Sequence, residues 1–152
     1  MRGEERLTDL EHWLETEPKW KVLVIGVPFT RNWRSCSDEV DSRGGYLFER
    51  QRLLEIMWRT EEVVIMSGDT HKHATTLFPS PDRKENVFEF STSPLSKFYQ
   101  PFKRSYLQLK DTDVELFSCA KGVSKFSVLT FNTTDPSGVN LNLELIMDRF
   151  KV

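Results

Sequence analysis

The stretch Ser67-Gly68-Asp69-Thr70-His71-Lys72-His73 puts one carboxylate and two imidazoles close together in the chain. Carboxylate oxygen and imidazole nitrogen are the donors that Zn²⁺, Mn²⁺, Fe and Ca²⁺ ions draw on. In an extended loop, residues two apart project to the same side. Asp69 and His71 are therefore candidate ligands of one metal ion and candidate catalytic residues. His73 is a candidate third ligand, or a donor behind the first two. A polar turn accounts for the same residues: Asp69 would cap a helix beginning near Thr70, with the histidines in solvent. Serine catalysis by Ser67 does not fit. The sequence has no G-x-S-x-G, and neighbours in one short loop cannot adopt a serine-triad geometry. It also has no P-loop, G-x-G-x-x-G or H-E-x-x-H.

The elements that must hold this loop can be read from hydrophobic spacing. Leu7, Leu10, Trp13 and Leu14 recur at helical intervals, so residues 7–17 are expected as a helix that Pro18 discourages from continuing. "KVLVIGV" from Lys21 is short, β-branched and continuously apolar, which suits a strand buried on both faces. Leu47, Arg50, Leu54, Met57 and Trp58 predict a helix over residues 46–60. "EVVIMS" predicts a second buried strand. Strand, helix, strand with both strands apolar is a βαβ unit in a parallel sheet. Ligands of such sheets bind beyond the carboxyl ends of the strands. Residues 26–30 and 67–73 occupy those two positions. Further on, "VFEFSTS" alternates as a strand. "VELFSCA", "KFSVLTFNTT" and "VNLNLELIMD" read as antiparallel strands, the last two joined by Asp135-Pro136-Ser137-Gly138 as a hairpin turn.

The totals narrow the function classes. With 152 residues, 38% hydrophobic and 29% charged, the chain is expected to be one globular domain, residues 1–152, and not a disordered one. A net charge of −2 removes the electrostatic case for nucleic acid or an anionic membrane. "KFYQPFKRSY", residues 97–106, interleaves basic and aromatic side chains and is the sole segment resembling a single-strand RNA surface. Given the net charge, a ring-packed loop or a basic rim for a phosphate-bearing substrate is the favoured account of it. Cys36 and Cys119 have no metal spacing. His12 lies among charges and is assigned no role. No apolar signal-peptide core and no membrane-length apolar stretch occurs, so the compartment stays open.

"WKVLVIGVPFTRNW", "GGYLFERQRLLEIMW", "VVIMSGDTHKHATTLF" and "FEFSTSPLSKFY" follow one another in an order that resembles the alkaline phosphatase D (PhoD)-like metallophosphatases. The resemblance covers about residues 7–131. It implies an α/β class, with an α/β/β/α metallophosphoesterase-like sandwich of which this chain holds part: a parallel βαβ unit, then antiparallel strands and a C-terminal hairpin. It implies metal-dependent hydrolysis of phosphate mono- or diesters, with divalent or trivalent ions (Fe, Ca, Mn or Zn). Asp69 and His71 fall on a G-D-x-H motif similar to the G-H-x-H metal loop of the wider superfamily. Where the superfamily often has a metal-binding His before a Pro, this chain has Val27 before Pro28, so that loop is expected to contribute shape. The segment from Ser91 to Ser96, with Tyr99, resembles the stretch that flanks the family's cleft and is assigned no catalytic role.

The chain also departs from that pattern. Gly68-Asp69 is its one G-D dipeptide, and it has no N-H-E or H-D-D-H. It therefore resembles the C-terminal half of the domain, and Asp69, His71 and His73 do not make up a two-metal centre on their own. Such a chain is expected to be marginally stable or to associate, with itself or with a missing N-terminal half, through an exposed sheet edge. The competing reading is a non-catalytic remnant or interaction module that binds a partner through that edge.

Overall fold

The computed structural model describes residues 2–16, 20–31, 46–60, 62–69, 71–82, 84–93, 95, 113–119, 123–132, 134 and 140–148. Residues 97–106 and the turn at residues 135–138, both singled out above, lie outside them. The elements run α1 (Arg2–Thr16), β1 (Lys21–Val24), α2 (Leu47–Thr60), β2 (Val63–Ser67), β3 (His73–Pro79), β4 (Asn86–Thr92), β5 (Val114–Cys119), β6 (Lys125–Asn132) and β7 (Asn140–Met147). The class is mixed α/β, with a sheet that is parallel and then antiparallel and a C-terminal hairpin.

Among the described residues the main sheet has five strands in the order β1-β2-β4-β3-β5. β1 pairs parallel with β2, and β2 parallel with β4. β4 then pairs antiparallel with β3, and β3 antiparallel with β5. The expected βαβ unit is present as β1, α2 and β2. Both helices cover one face of the sheet. There Leu14, Leu53, Leu54 and Met57 meet Val63, Ile65, Phe78 and Val87, with Phe29 among them. β6 and β7 form the hairpin, which lies against the other face. Thr92 on that face bonds Ser127 of β6 (Oγ1···Oγ, 2.6 Å), and Trp20 meets Phe131 edge to face at 6.1 Å.

Two expectations need correction. β1 is not buried on both faces: it is the edge strand, and Val24 is 76% exposed. Continuous hydrophobicity does not distinguish an edge strand from a central one, because it reports composition and not neighbours. β2, with β1 and β4 on either side, is the strand buried on both faces. No helix begins near Thr70; residues 73–79 are a strand instead. Its polar threonines hide the alternation, since Thr76 is buried as fully as Ala74 and Phe78.

A buried polar network ties these layers together. Arg50, on the core face of α2, donates from Nε to the Phe29 carbonyl (2.8 Å) and from Nη2 to both Asp113 oxygens (2.7 Å each). Its guanidinium carbon also sits 5.2 Å from the ring centres of Phe29 and Phe78. Removing one member of such a pair leaves the other charge buried and uncompensated. Arg50→Ala is expected to destabilise the fold by about 3–5 kcal/mol. Arg52→Ala removes the partly exposed Arg52–Glu11 pair between α2 and α1 and should cost about 1 kcal/mol or less. Urea unfolding of both variants checks the order.

Candidate active site

The two segments beyond the carboxyl ends of β1 and β2 lie side by side. A Cβ placed on Gly68 would come 3.9 Å from the Gly26 carbonyl oxygen and 3.9 Å from that of Thr92. Glu89 of β4 joins them from below. Its Oε1 accepts from the Phe29 amide (2.6 Å) and from the Ser67 hydroxyl (2.6 Å), and its Oε2 accepts from the Thr30 amide (2.9 Å). Asp113 Oδ2 accepts from the next amide, Arg31 (2.9 Å), and from the Thr30 hydroxyl (3.2 Å). Three successive amides after a parallel strand could cradle a phosphate. Here two of the chain's own carboxylates take them. The Phe29, Thr30 and Arg31 amides are thus engaged within the chain.

Burial pushes the Glu89 carboxyl above the ordinary 4.5, and the Asp113 charge adds to the rise. The bonds from Ser67, Phe29 and Thr30 pull the other way. All three partners donate, so their geometry is built for a carboxylate.

Asp69 and His71 stand on the loop that leaves β2. Asp69 is exposed and His71 half-buried. Both have left-handed backbones, with φ of 68° and 54°. This corrects the expectation of an extended loop with both side chains on one side by simple alternation. Asp and His are among the side chains that enter this region most readily, but at a cost on the order of 1 kcal/mol each. The loop is therefore held there by its surroundings. The His71 amide donates to Ser93 Oγ at 2.7 Å, and the Ser93 amide donates to the Lys72 carbonyl at 3.2 Å.

His73 is placed differently. It opens β3 and is 1% exposed. Its Nδ1 lies 2.8 Å from Thr92 Oγ1 and its Nε2 3.1 Å from Thr75 Oγ1. A metal on His73 would displace one of these bonds. Burial, and the positive charge of Lys125 nearby, lower its pKa from 6.5 to about 4.

As a donor set, Asp69 and His71 suit a hard or borderline ion, and they fill two positions of its shell. No group of three or more His, Cys, Asp or Glu suited to a metal occurs among the described residues. A groove of about 660 Å³ between α2 and the β3–β4 turn, lined by Trp58, Arg59, Asp82 and Lys84, lies at the other end of the strands. No helix is long and apolar enough to cross a membrane among the described residues. Sequence spacing found Asp69 and His71 but not Glu89, Arg50, Asp113 or Ser93. Glu89 had left a trace. It shares an alternation row with Val87, and a lone carboxylate on a core-facing row signals a buried polar role.

The depressed His73 pKa has a consequence for stability. Below pH 6.5 an unfolded chain protonates this ring, while the folded one resists down to about 4. The contribution of neutral, buried His73 is complete above pH 6.5 and is lost as pH falls through the window from 6.5 to about 4. His73→Gln should flatten the fall of unfolding free energy over that window, where one such group contributes at most about 1.4 kcal/mol per pH unit. Urea titrations at several pH values check it.

None of the curated proteins compared with the chain matches it. A solved structure described as "Structure of PhoD" is similar at 22% identity and a TM-score of 0.43, over 55% of this chain and 19% of that one. The chain thus spans about a fifth of that protein's length. The family model for PhoD-like phosphatase matches residues 1–136, and the chain belongs to the PhoD-like phosphatase family.

Proposed function

We propose that this chain contributes one side of a metal-dependent phosphate-ester hydrolase site, with Asp69 and His71 as metal ligands. The observation that carries this reading is the placement of both residues on a held, left-handed loop at the carboxyl end of the central parallel strand β2. Family membership supports a phosphate ester, mono- or diester, as the substrate. A bound divalent or trivalent ion (Fe, Ca, Mn or Zn) would polarise a phosphoryl oxygen and lower the pKa of a water molecule. Asp69 brings charge to such an ion and His71 a neutral nitrogen. Ser93 holds the His71 amide, and His73 acts as a buried support with both nitrogens bonded to threonines. Further ligands come from outside the described residues.

A second reading is favoured by the sheet's edges. Val24 on edge strand β1 is 76% exposed, and Leu116 and Phe117 on edge strand β5 are each 53% exposed. A module that binds a second copy of the chain, or another protein, would cover such edges.

One set of measurements separates the two. Hydrolysis of p-nitrophenyl phosphate and bis-p-nitrophenyl phosphate is assayed with Mn²⁺, Ca²⁺ or Fe in a full-length form of the protein. Asp69→Ala and His71→Ala should each lower turnover by about a hundredfold or more, the loss expected when several kcal/mol of metal assistance is removed. Unchanged turnover in both variants removes the site assignment. Absence of metal and of turnover, together with sedimentation as an oligomer, favours the interaction module.

A further inference from the structure

β4 and the residue that follows it carry the polar side chains of Glu89, Ser91 and Ser93, of which the hydrolase reading draws on Ser93 alone. Glu89 and Ser91 alternate along β4 and share the face turned toward the helices, and Ser93 follows directly after the strand ends at Thr92. Each touches a different point of the loop that leaves β2. Glu89 Oε1 accepts from Ser67 Oγ at 2.6 Å, and Ser91 Oγ reaches the Gly68 carbonyl at 3.4 Å. Ser93 Oγ accepts from the His71 amide at 2.7 Å. The strand meets the loop at its start and its middle, and the residue just past the strand meets its far end, while Asp69 lies between the last two contacts.

Ser93 is itself held. Its amide donates to the Lys72 carbonyl at 3.2 Å, and its carbonyl accepts from the Lys125 ammonium at 3.3 Å. Lys125 belongs to β6, is 1% exposed and pairs with Met147 of β7. The neighbouring Thr92 bonds Ser127 of the same hairpin on one side and His73 on the other. The hairpin therefore reaches the loop through the end of β4.

We infer that Glu89, Ser91 and Ser93 are positioning residues for the Asp69–His71 pair, and that Ser93, braced by Lys125 from the hairpin, keeps His71 in its left-handed conformation. As a claim about the metal pair this rests on the hydrolase reading; as a claim about backbone geometry it stands apart from it. Two strained residues, at φ of 68° and 54°, flank one position. The His71 amide bond to Ser93 Oγ is the contact that a relaxed loop would give up.

The test uses the chain itself with Mn²⁺ alone as the probe. Wild type, Ser93→Ala and Ser93→Thr are compared by NMR in three respects: the φ-dependent amide coupling of His71, amide exchange at His71, and line broadening of Asp69 and His71 on adding Mn²⁺. Ser93→Ala should shift the His71 coupling toward negative φ, speed its amide exchange, and weaken Mn²⁺ broadening by about ten- to a hundredfold in concentration, with the melting temperature little changed. Ser93→Thr, which retains the hydroxyl, should restore all three. An unchanged coupling and exchange rate at His71 in Ser93→Ala overturns the inference. If wild type shows no Mn²⁺ broadening at Asp69 and His71, the hydrolase reading fails while the coupling and exchange still decide the positioning role. Ser67→Ala supplies a second route should Ser93→Ala not fold: loss of the shared Glu89 contact should speed exchange at the Phe29 and Thr30 amides together with His71. Exchange confined to residue 67 counts against the row as a unit.

Discussion

The Glu89 carboxylate is the interaction on which the rest of the structure depends. It sits in the middle strand of the sheet with no solvent contact, where an ionised group survives only with donors around it. Two of its donors come from the turn after β1 and one from the end of β2. The desolvation cost therefore falls on a single residue, and the offsetting bonds lock two separate segments into one edge. Asp113 extends the arrangement to the Arg31 amide, and Arg50 balances Asp113 from α2. Helix, sheet and loop share one set of buried charges, so none can shift without leaving a carboxylate or a guanidinium short of partners.

That constraint bears on function in two ways. It occupies the Phe29, Thr30 and Arg31 amides after β1, so those three do not serve an anion. It leaves the loop after β2 standing on a rigid base, with Asp69 exposed and His71 half-buried. Asp69 and His71 have costly backbone angles, and such residues persist where their surroundings hold them. The surroundings here come from Ser91 of β4 on one face, from Ser93 just past the end of the strand, and from the hairpin through Lys125 and Ser127 on the other face. Two side chains held from two layers would lose less freedom on taking up a ligand than two on a loose loop. The burial of His73 beside Lys125 belongs to the same base, for a neutral ring bonded by two threonines adds rigidity without adding a competing cation.

Much of this fold was legible in the order of residues. The helical intervals from Leu47 to Trp58 gave α2 and even placed Arg50 among its inward positions. The apolar run before Ser67 gave β2, and the alternating runs after Lys125 gave the hairpin strands. The position of Asp69 and His71 just past a buried strand followed from the βαβ pattern. Other features were not legible. β1 reads like a central strand because its residues are apolar, yet it lies at the edge. β3 was hidden because Thr75 and Thr76 look like loop residues. Strand order β1-β2-β4-β3-β5 places two sequence neighbours, β2 and β3, apart with β4 between them, and no local pattern encodes that exchange.

The sequence by itself determined the class, the principal elements and the family, and it singled out Asp69 and His71 as candidates. These follow from periodicity and residue type, which act over a few positions of chain. The tertiary structure alone decided what Glu89, Asp113, Arg50 and Ser93 do. Their partners lie 60 residues away for Glu89 and Phe29, 63 for Arg50 and Asp113, and 22 for Ser93 and His71. Burial and hydrogen bonding are set by what the folded chain brings alongside, so a glutamate in a strand pattern becomes the anchor of a site only when three donors from two distant segments converge on it.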